Sequence, residues 1–218
     1  MSASGLAAVW AADNTREAIV AAMRRREVYA TSGPRIAVRT YGGLNLPPTV
    51  LETPGFPDSI QTQAVPMGGE IMGAGVGDRF SLAIEAQADP KSGHLDRIQV
   101  VKGWIDASGE TQERVYDAAW SGDDRLLPDG SLAAVGSSVD LNTGLTANTI
   151  GSPRLTAVWQ DPEFDPAQSA FYYVRVLQIP TARHSLLDKL ALGNEDIDTR
   201  RPDTIQERAY TSPIWYRP

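Results

Sequence analysis

Arg79-Phe-Ser-Leu-Ala-Ile-Glu-Ala-Gln87 decides the fold class of this chain. Phe80, Leu82, Ile84 and Ala86 recur at every second position, with Ser81, Glu85 and Gln87 between them. A period of two puts the apolar set on one face of a strand, because successive side chains of an extended backbone point to opposite sides. The same grammar runs outward in both directions. Upstream, Arg35 to Tyr41 alternates with Ile36 and Val38 on one side. Downstream, Leu95 to Trp104 and Glu113 to Trp120 flank Asp106-Ala-Ser-Gly109, a natural hairpin turn. Arg154 to Gln160 and Ala170 to Ile179 are further strands rich in β-branched and aromatic residues, and Ile214-Trp-Tyr216 is a last one. About seven short strands with Gly, Pro, Asp and Asn between them predict a mainly β chain built as an antiparallel sandwich.

The first 34 residues follow a different pattern. Asn14 is a good N-cap, with Glu17 at the capping-box position. Ala18 and Ala22, and Ile19 and Met23, then form an apolar stripe at helical spacing. This predicts a helix from about 15 to 26, a strand over Val28 to Thr31, and a turn at Ser32-Gly33-Pro34. Gly5 to Trp10 reads as a buried strand or a docking strip. Two long connections stand out. Gly42 to Gly77, with five prolines, predicts a structured loop over the sheet edge. Arg183 to Thr204 predicts a polar loop holding a short helix at Leu186 to Leu192, closed by Gly193.

Composition narrows function. The 218 residues carry a net charge of −7, the wrong sign for displacing counterions from phosphates, so no nucleic-acid partner is expected. Arg24-Arg25-Arg26 fits a helix C-terminus complementing the macrodipole better than a phosphate patch. The absence of cysteine removes disulfides, thiolate metal sites and a cysteine nucleophile. No apolar run approaches a bilayer span, so no membrane partner is expected, and Met1 to Gly5 shows no signal-peptide pattern.

The chemistry-bearing residues are scattered. His94 and His184 form no paired-histidine motif, and two isolated imidazoles are too few for a multinuclear centre. His184 and Asp188 would share a helix face, enough at most for a surface mono-metal site. Gly68 to Gly77 is glycine-rich but leads into a strand rather than a helix, so it reads as a flexible hairpin or bulge instead of a phosphate cradle. Gly136-Ser137-Ser138 is no nucleophile elbow. Asp123-Asp124, Glu163 with Asp165, and Glu195-Asp196 are acid pairs in loop settings. Asp161-Pro-Glu163-Phe-Asp165 has the oxygen-rich spacing of a loop calcium site. Trp104, Trp120 and Trp159 near strand ends read as sandwich core. Exposed together, they would instead indicate a stand-alone module binding carbohydrate or peptide.

Gly5-Leu-Ala-Ala-Val-Trp-Ala-Ala-Asp-Asn-Thr-Arg-Glu-Ala-Ile19 and Ala22-Met-Arg-Arg-Arg-Glu-Val-Tyr-Ala-Thr-Ser-Gly-Pro-Arg-Ile36 resemble the closing segment of PHP-type (polymerase and histidinol phosphatase) metallohydrolase domains. Leu95-Asp-Arg-Ile-Gln-Val-Val-Lys-Gly-Trp104, Ala170-Phe-Tyr-Tyr-Val-Arg-Val176 and Thr204-Ile-Gln-Glu-Arg-Ala-Tyr-Thr-Ser-Pro-Ile-Trp-Tyr216 resemble the C-terminal portion of a large bacterial family of unknown function whose N-terminal part is PHP-like. The resemblance implies that residues 1–34 are the terminal helix and strand of a β/α barrel. It implies that residues 35–218 are an immunoglobulin-like β-sandwich accessory domain. The family's paired-histidine ligand motifs have no matching positions here, so no catalytic, cofactor-binding or metal-binding residue is assigned. The divalent metals, and the hydrolytic activity they support, are implied for the missing barrel, which would be the main partner. This chain alone is then not an enzyme, and its two long loops would edge the active-site mouth or a dimer contact. Without the barrel, the stripe of Ala18, Ile19, Ala22 and Met23 must meet the sandwich, a neighbouring copy or water. Left exposed, it would favour a homo-oligomer.

Overall fold

The computed structural model describes residues 4–193 and 201–218. It is mainly β, with antiparallel sheets. The chain opens with β1 (Leu6–Val9), α1 (Arg16–Arg24) and β2 (Val28–Thr31). It continues through β3 (Ala37–Leu44), β4 (Ala64–Pro66), β5 (Glu70–Met72), β6 (Phe80–Gln87), β7 (Leu95–Ile105) and β8 (Thr111–Trp120). After a long arm come β9 (Arg154–Gln160), β10 (Ala170–Gln178), β11 (Thr181–Ala182) and α2 (His184–Leu192). The last elements are β12 (Thr204–Ile205), β13 (Arg208–Thr211) and β14 (Ile214–Arg217). The strands β4, β5 and β11 to β13 are too short, or too rich in polar residues, for alternation to reveal them.

Two sheets pack face to face. In the smaller, β4-β3-β6-β9, the eight residues of β3 pair with all of β6, from Ala37 opposite Gln87 to Leu44 opposite Phe80. The larger sheet starts at the edge strand β8, then β7, then β10. The far side of β10 is shared, its start pairing with β14 and its end with β13. β14 continues to β5 in parallel, while β13 continues to β2 and β1. The N-terminal hairpin is therefore joined edge-on to the larger sheet. Trp10 ties it to the smaller one as well: its indole N–H donates to the Val38 carbonyl at 2.8 Å, and the Arg39 guanidinium lies 3.6 Å over its ring.

The core between the sheets is the apolar set that alternation picks out. Phe80, Leu82, Ile84 and Ala86 from β6 meet Ile98, Val100, Tyr172, Val174 and Val176 from β7 and β10, all essentially solvent-free. The Phe80 and Tyr172 rings stack across the interface at 3.9 Å.

Ser81 and Ala83 are buried too, although their side chains point to the opposite face of β6. The cause is the long connection after β3. It does not lie over the sheet edge but folds across the outer face of the smaller sheet. There Leu46, Val50, Ile60 and Ala64 form a second core with Ala83, and Phe56 sits edge-on to Tyr41 at 5.5 Å. Gly43 permits the close approach, since a Cβ there would stand 2.6 Å from the Gln63 carbonyl oxygen.

Helix α1 starts one residue later than the capping-box pattern indicates. Thr15, not Asn14, is the N-cap: it is extended (φ −118°, ψ 156°) and its hydroxyl accepts the Ala18 N–H at 3.3 Å. Glu17 thereby falls in the first turn, where its charge faces the positive end of the helix. The helix also ends early, because Arg26 turns left-handed at φ 64°. Of its stripe, Ala22 is fully buried, Ala18 and Ile19 are half-buried, and Met23 is exposed. β1, expected to be buried or docked, is exposed at Leu6 and half-buried at Val9, because it forms the end of the sheet.

Candidate functional site

The interior of the larger sheet holds two ionic networks. The Lys102 ammonium, on β7, donates to Asp161 Oδ2 at 2.6 Å and to the Glu163 carbonyl at 2.9 Å. The Tyr172 hydroxyl donates to the same carboxylate oxygen at 2.7 Å, and the Glu163 N–H donates to Asp161 Oδ1 at 2.9 Å. Lys102 and Asp161 are 2% and 3% exposed, so this ion pair is held out of water and fully bonded. Burial first, and then the adjacent Asp161 charge, push the Tyr172 phenol far up, so it stays a donor. At the surface end Glu163 pairs with Arg114 and accepts the Tyr116 hydroxyl at 3.0 Å. The bonds from Arg114 and Tyr116 hold the Glu163 carboxyl below its usual range. Burial, followed by the bond to Glu163, raises Tyr116 to about 12.

The second network surrounds Asp96, which is completely buried on β7. Arg125 Nη2 lies 2.8 Å from one carboxylate oxygen, while Arg97 Nε lies 3.3 Å from the other, which also accepts the Gln206 amide at 2.9 Å. Arg125 further donates to the Ser121 and Ala133 carbonyls. Asp96 thus anchors the arm after β8 and the segment before β13. Sequence reasoning passed over Lys102 and Asp96. The available signal was a charged residue inside an otherwise apolar strand.

These networks decide the acid clusters. Asp161 and Glu163 are committed to Lys102 and Arg114, and Asp165 Oδ1 caps the Ala167 N–H at 2.9 Å. Asp123 and Asp124 sit exposed in a single turn. Glu195 and Asp196 lie outside the described residues. His94 precedes β7 with its backbone N–H on Asn148, whereas His184 begins α2, exposed. Among the described residues, no three His, Asp or Glu side chains gather where they could hold a metal ion. The Ser137 hydroxyl accepts the Val139 N–H. The glycine run carries the chain from the smaller sheet (β4) to the larger (β5), and Gly68 donates its N–H to the Pro213 carbonyl. Among the described residues no helix is long and apolar enough to cross a membrane.

The tryptophans divide by place. Trp120 is half-buried, as is Trp159, whose ring lies 5.1 Å from that of Tyr116 and 6.2 Å from that of Tyr172. Trp104 is half-buried against the core and forms one end of an open groove of about 1030 Å³. The floor of this groove is Phe171 and Trp215, whose rings are 5.3 Å apart. The exposure of Trp215 follows from the parity of β14, in which Ile214 and Tyr216 face the core.

One wall of the groove is the β7–β8 turn. Asp106 accepts from the Ser108 hydroxyl, the Gln112 amide and the Glu110 N–H, and these bonds hold its carboxyl down at about 2. A folded-state value below the ordinary one means that its contribution is complete above about pH 4. It is lost as pH falls through the folded value. A carboxyl-carbon NMR titration should therefore place the Asp106 midpoint near 2, whereas a midpoint near 4 would show that the turn bonds are not held in solution.

Packed antiparallel sheets with ionic networks inside and an aromatic groove outside define a β-rich module. The chain belongs to the family described as "Protein of unknown function (DUF3604)", which matches residues 1–218. No curated protein and no solved structure matches it.

Proposed function

We propose that this chain is the non-catalytic accessory module of a PHP-like, metal-dependent hydrolase. In this reading it is an immunoglobulin-like sandwich carrying the last helix and strand of the catalytic barrel at its N-terminus. The observation that carries the reading is the state of the interior carboxylates. Asp96 and Asp161 face Arg125 and Lys102 at 2.8 and 2.6 Å. A buried carboxylate neutralised in this way serves packing and does not suit a divalent metal, which needs several free oxygen or imidazole donors. The donor set among the described residues therefore does not fit the metals, and the reading assigns them to the barrel.

The same reading gives the barrel a surface to meet. Leu145 and Leu192 are 69% and 72% exposed, and Leu187 and Leu190, both exposed, close against Gly144. A leucine surface left uncovered by the described residues favours a permanent partner.

The test is direct. The purified chain, supplied with Mg²⁺, Mn²⁺ or Zn²⁺, is expected to hydrolyse p-nitrophenyl phosphate no faster than buffer and to hold less than one metal per chain after desalting. Stoichiometric metal together with turnover would end the proposal.

A further inference from the structure

We infer that the outer face of the larger sheet, around Phe171 and Trp215, is a binding site for a neutral polysaccharide chain. The register places Glu113, Gly103, Phe171, Trp215 and Glu70 directly opposite one another on five adjacent strands, β8, β7, β10, β14 and β5. The neighbouring row, with Ala170, Tyr216 and Ile71, is in the core. Alternation therefore turns the Phe171–Trp215 row outward. The corresponding face of the smaller sheet is covered by the 45–63 connection. This face has no such cover among the described residues, and Trp215 is 39% and Ile105 60% exposed.

Gly103 sets the shape of the floor. A Cβ there would stand 2.3 Å from Phe171 Cζ and 2.5 Å from its Cε1, so the phenyl ring lies down over the glycine. The ring fills the space a side chain at 103 would take, and Phe171 remains partly exposed. The Trp215 ring is inclined to it by 52°, making a stepped aromatic surface. The electron-rich face of an aromatic ring attracts C–H groups of low polarity, and a pyranose ring presents such groups on its flat side with hydroxyls around its rim.

The rim of the groove suits those hydroxyls. Gln112 and Gln168 each donate an amide hydrogen within the protein, to Asp106 and to the Ile105 carbonyl. Each keeps its amide oxygen as an acceptor. Charge selects the ligand further. Asp106, Glu113 and Asp165 line the groove against one cation, Arg217, which is already paired with Glu70. An anionic polymer would be repelled, whereas a neutral one would not. A volume of about 1030 Å³ exceeds the space of a single sugar ring, so several consecutive units are the fitting occupant. An extended peptide adding to the sheet would pair along the free edge of β8, whereas Phe171 and Trp215 lie on paired strands with their side chains on the face. The inference does not depend on the hydrolase reading and holds whether or not a barrel is attached.

The test is affinity electrophoresis of the intact chain in gels containing galactomannan, xylan or mixed-linkage β-glucan. Alginate and polygalacturonate serve as anionic comparators, and a proline-rich peptide is titrated by tryptophan fluorescence. At least one neutral polymer is expected to retard the protein, with little effect from the anionic ones. Trp215→Ala, at an exposed position, should weaken retardation at least tenfold with the melting temperature unchanged, and Gln168→Ala should weaken it several-fold. Absence of retardation by every neutral polymer, preference for the anionic ones or for the peptide, or full binding by folded Trp215→Ala would each overturn the proposal.

Discussion

Lys102→Met is expected to lower the unfolding free energy by about 3–5 kcal/mol, read as the shift in urea midpoint at constant slope. Methionine keeps an unbranched apolar stem one atom shorter, so the ammonium and its bonds to Asp161 and the Glu163 carbonyl are what is removed. Methionine leaves the Asp161 carboxylate, 3% exposed, with only the Tyr172 hydroxyl and the Glu163 N–H for company. The removal of an ammonium that sits 2.6 Å away strands a full negative charge in the sheet interior. The control is Lys102→Met with Asp161→Asn. Asparagine can still accept from Tyr172 and carries no charge, so the pair should recover most of the loss. A single variant as stable as the parent would show that water reaches this pair. A double variant no better than the single would show that the stranded Asp161 charge is not the source of the loss.

Gly68→Ala should cost a comparable amount for a different reason. Gly68 has φ +84°, where a Cβ costs about 1–2 kcal/mol. That Cβ would also come within 2.4 Å of the Arg26 carbonyl oxygen and 2.5 Å of the Arg26 Cβ, and such overpacking adds roughly 1–3 kcal/mol. The collision is between the turn joining the two sheets and the end of α1. The strain should therefore appear where the N-terminal hairpin joins the larger sheet. Amide exchange is expected to rise at Tyr29 to Thr31, which pair with β13, more than at Val100 in the central strand β7. Uniform acceleration, or none, would remove Gly68 as the wedge between these segments. The glycine run that looked like a phosphate loop thus has a steric use: at Gly68 no other residue lets the backbones pass.

Local pattern made much of this architecture legible. Strict alternation in β6, the Asp106–Gly109 turn and the closing Gly193 of α2 each depend on a few consecutive residues, and each is where those residues place it. Failures came where a distant segment changes the answer. Asn14 was the better cap by composition, yet Thr15 caps. Ala83, on the opposite face of β6 from the Phe80 set, is buried because the 45–63 connection crosses over it. In the acidic run 161–165, Asp161 and Glu163 pair with Lys102 and Arg114, which come from two other strands.

By itself the sequence determined strand parity: a two-residue period leaves no freedom over which side chains share a face once the backbone is extended. That is why the Phe80 set lies inside. Pairing between strands far apart in the chain belongs to the tertiary structure alone. The row from Glu113 through Phe171 and Trp215 to Glu70 draws on four separate stretches of sequence, and hydrogen-bond register across strands is fixed by packing of the whole sandwich. No local pattern encodes that register, so the aromatic groove and the Lys102–Asp161 pair came into view together with the fold.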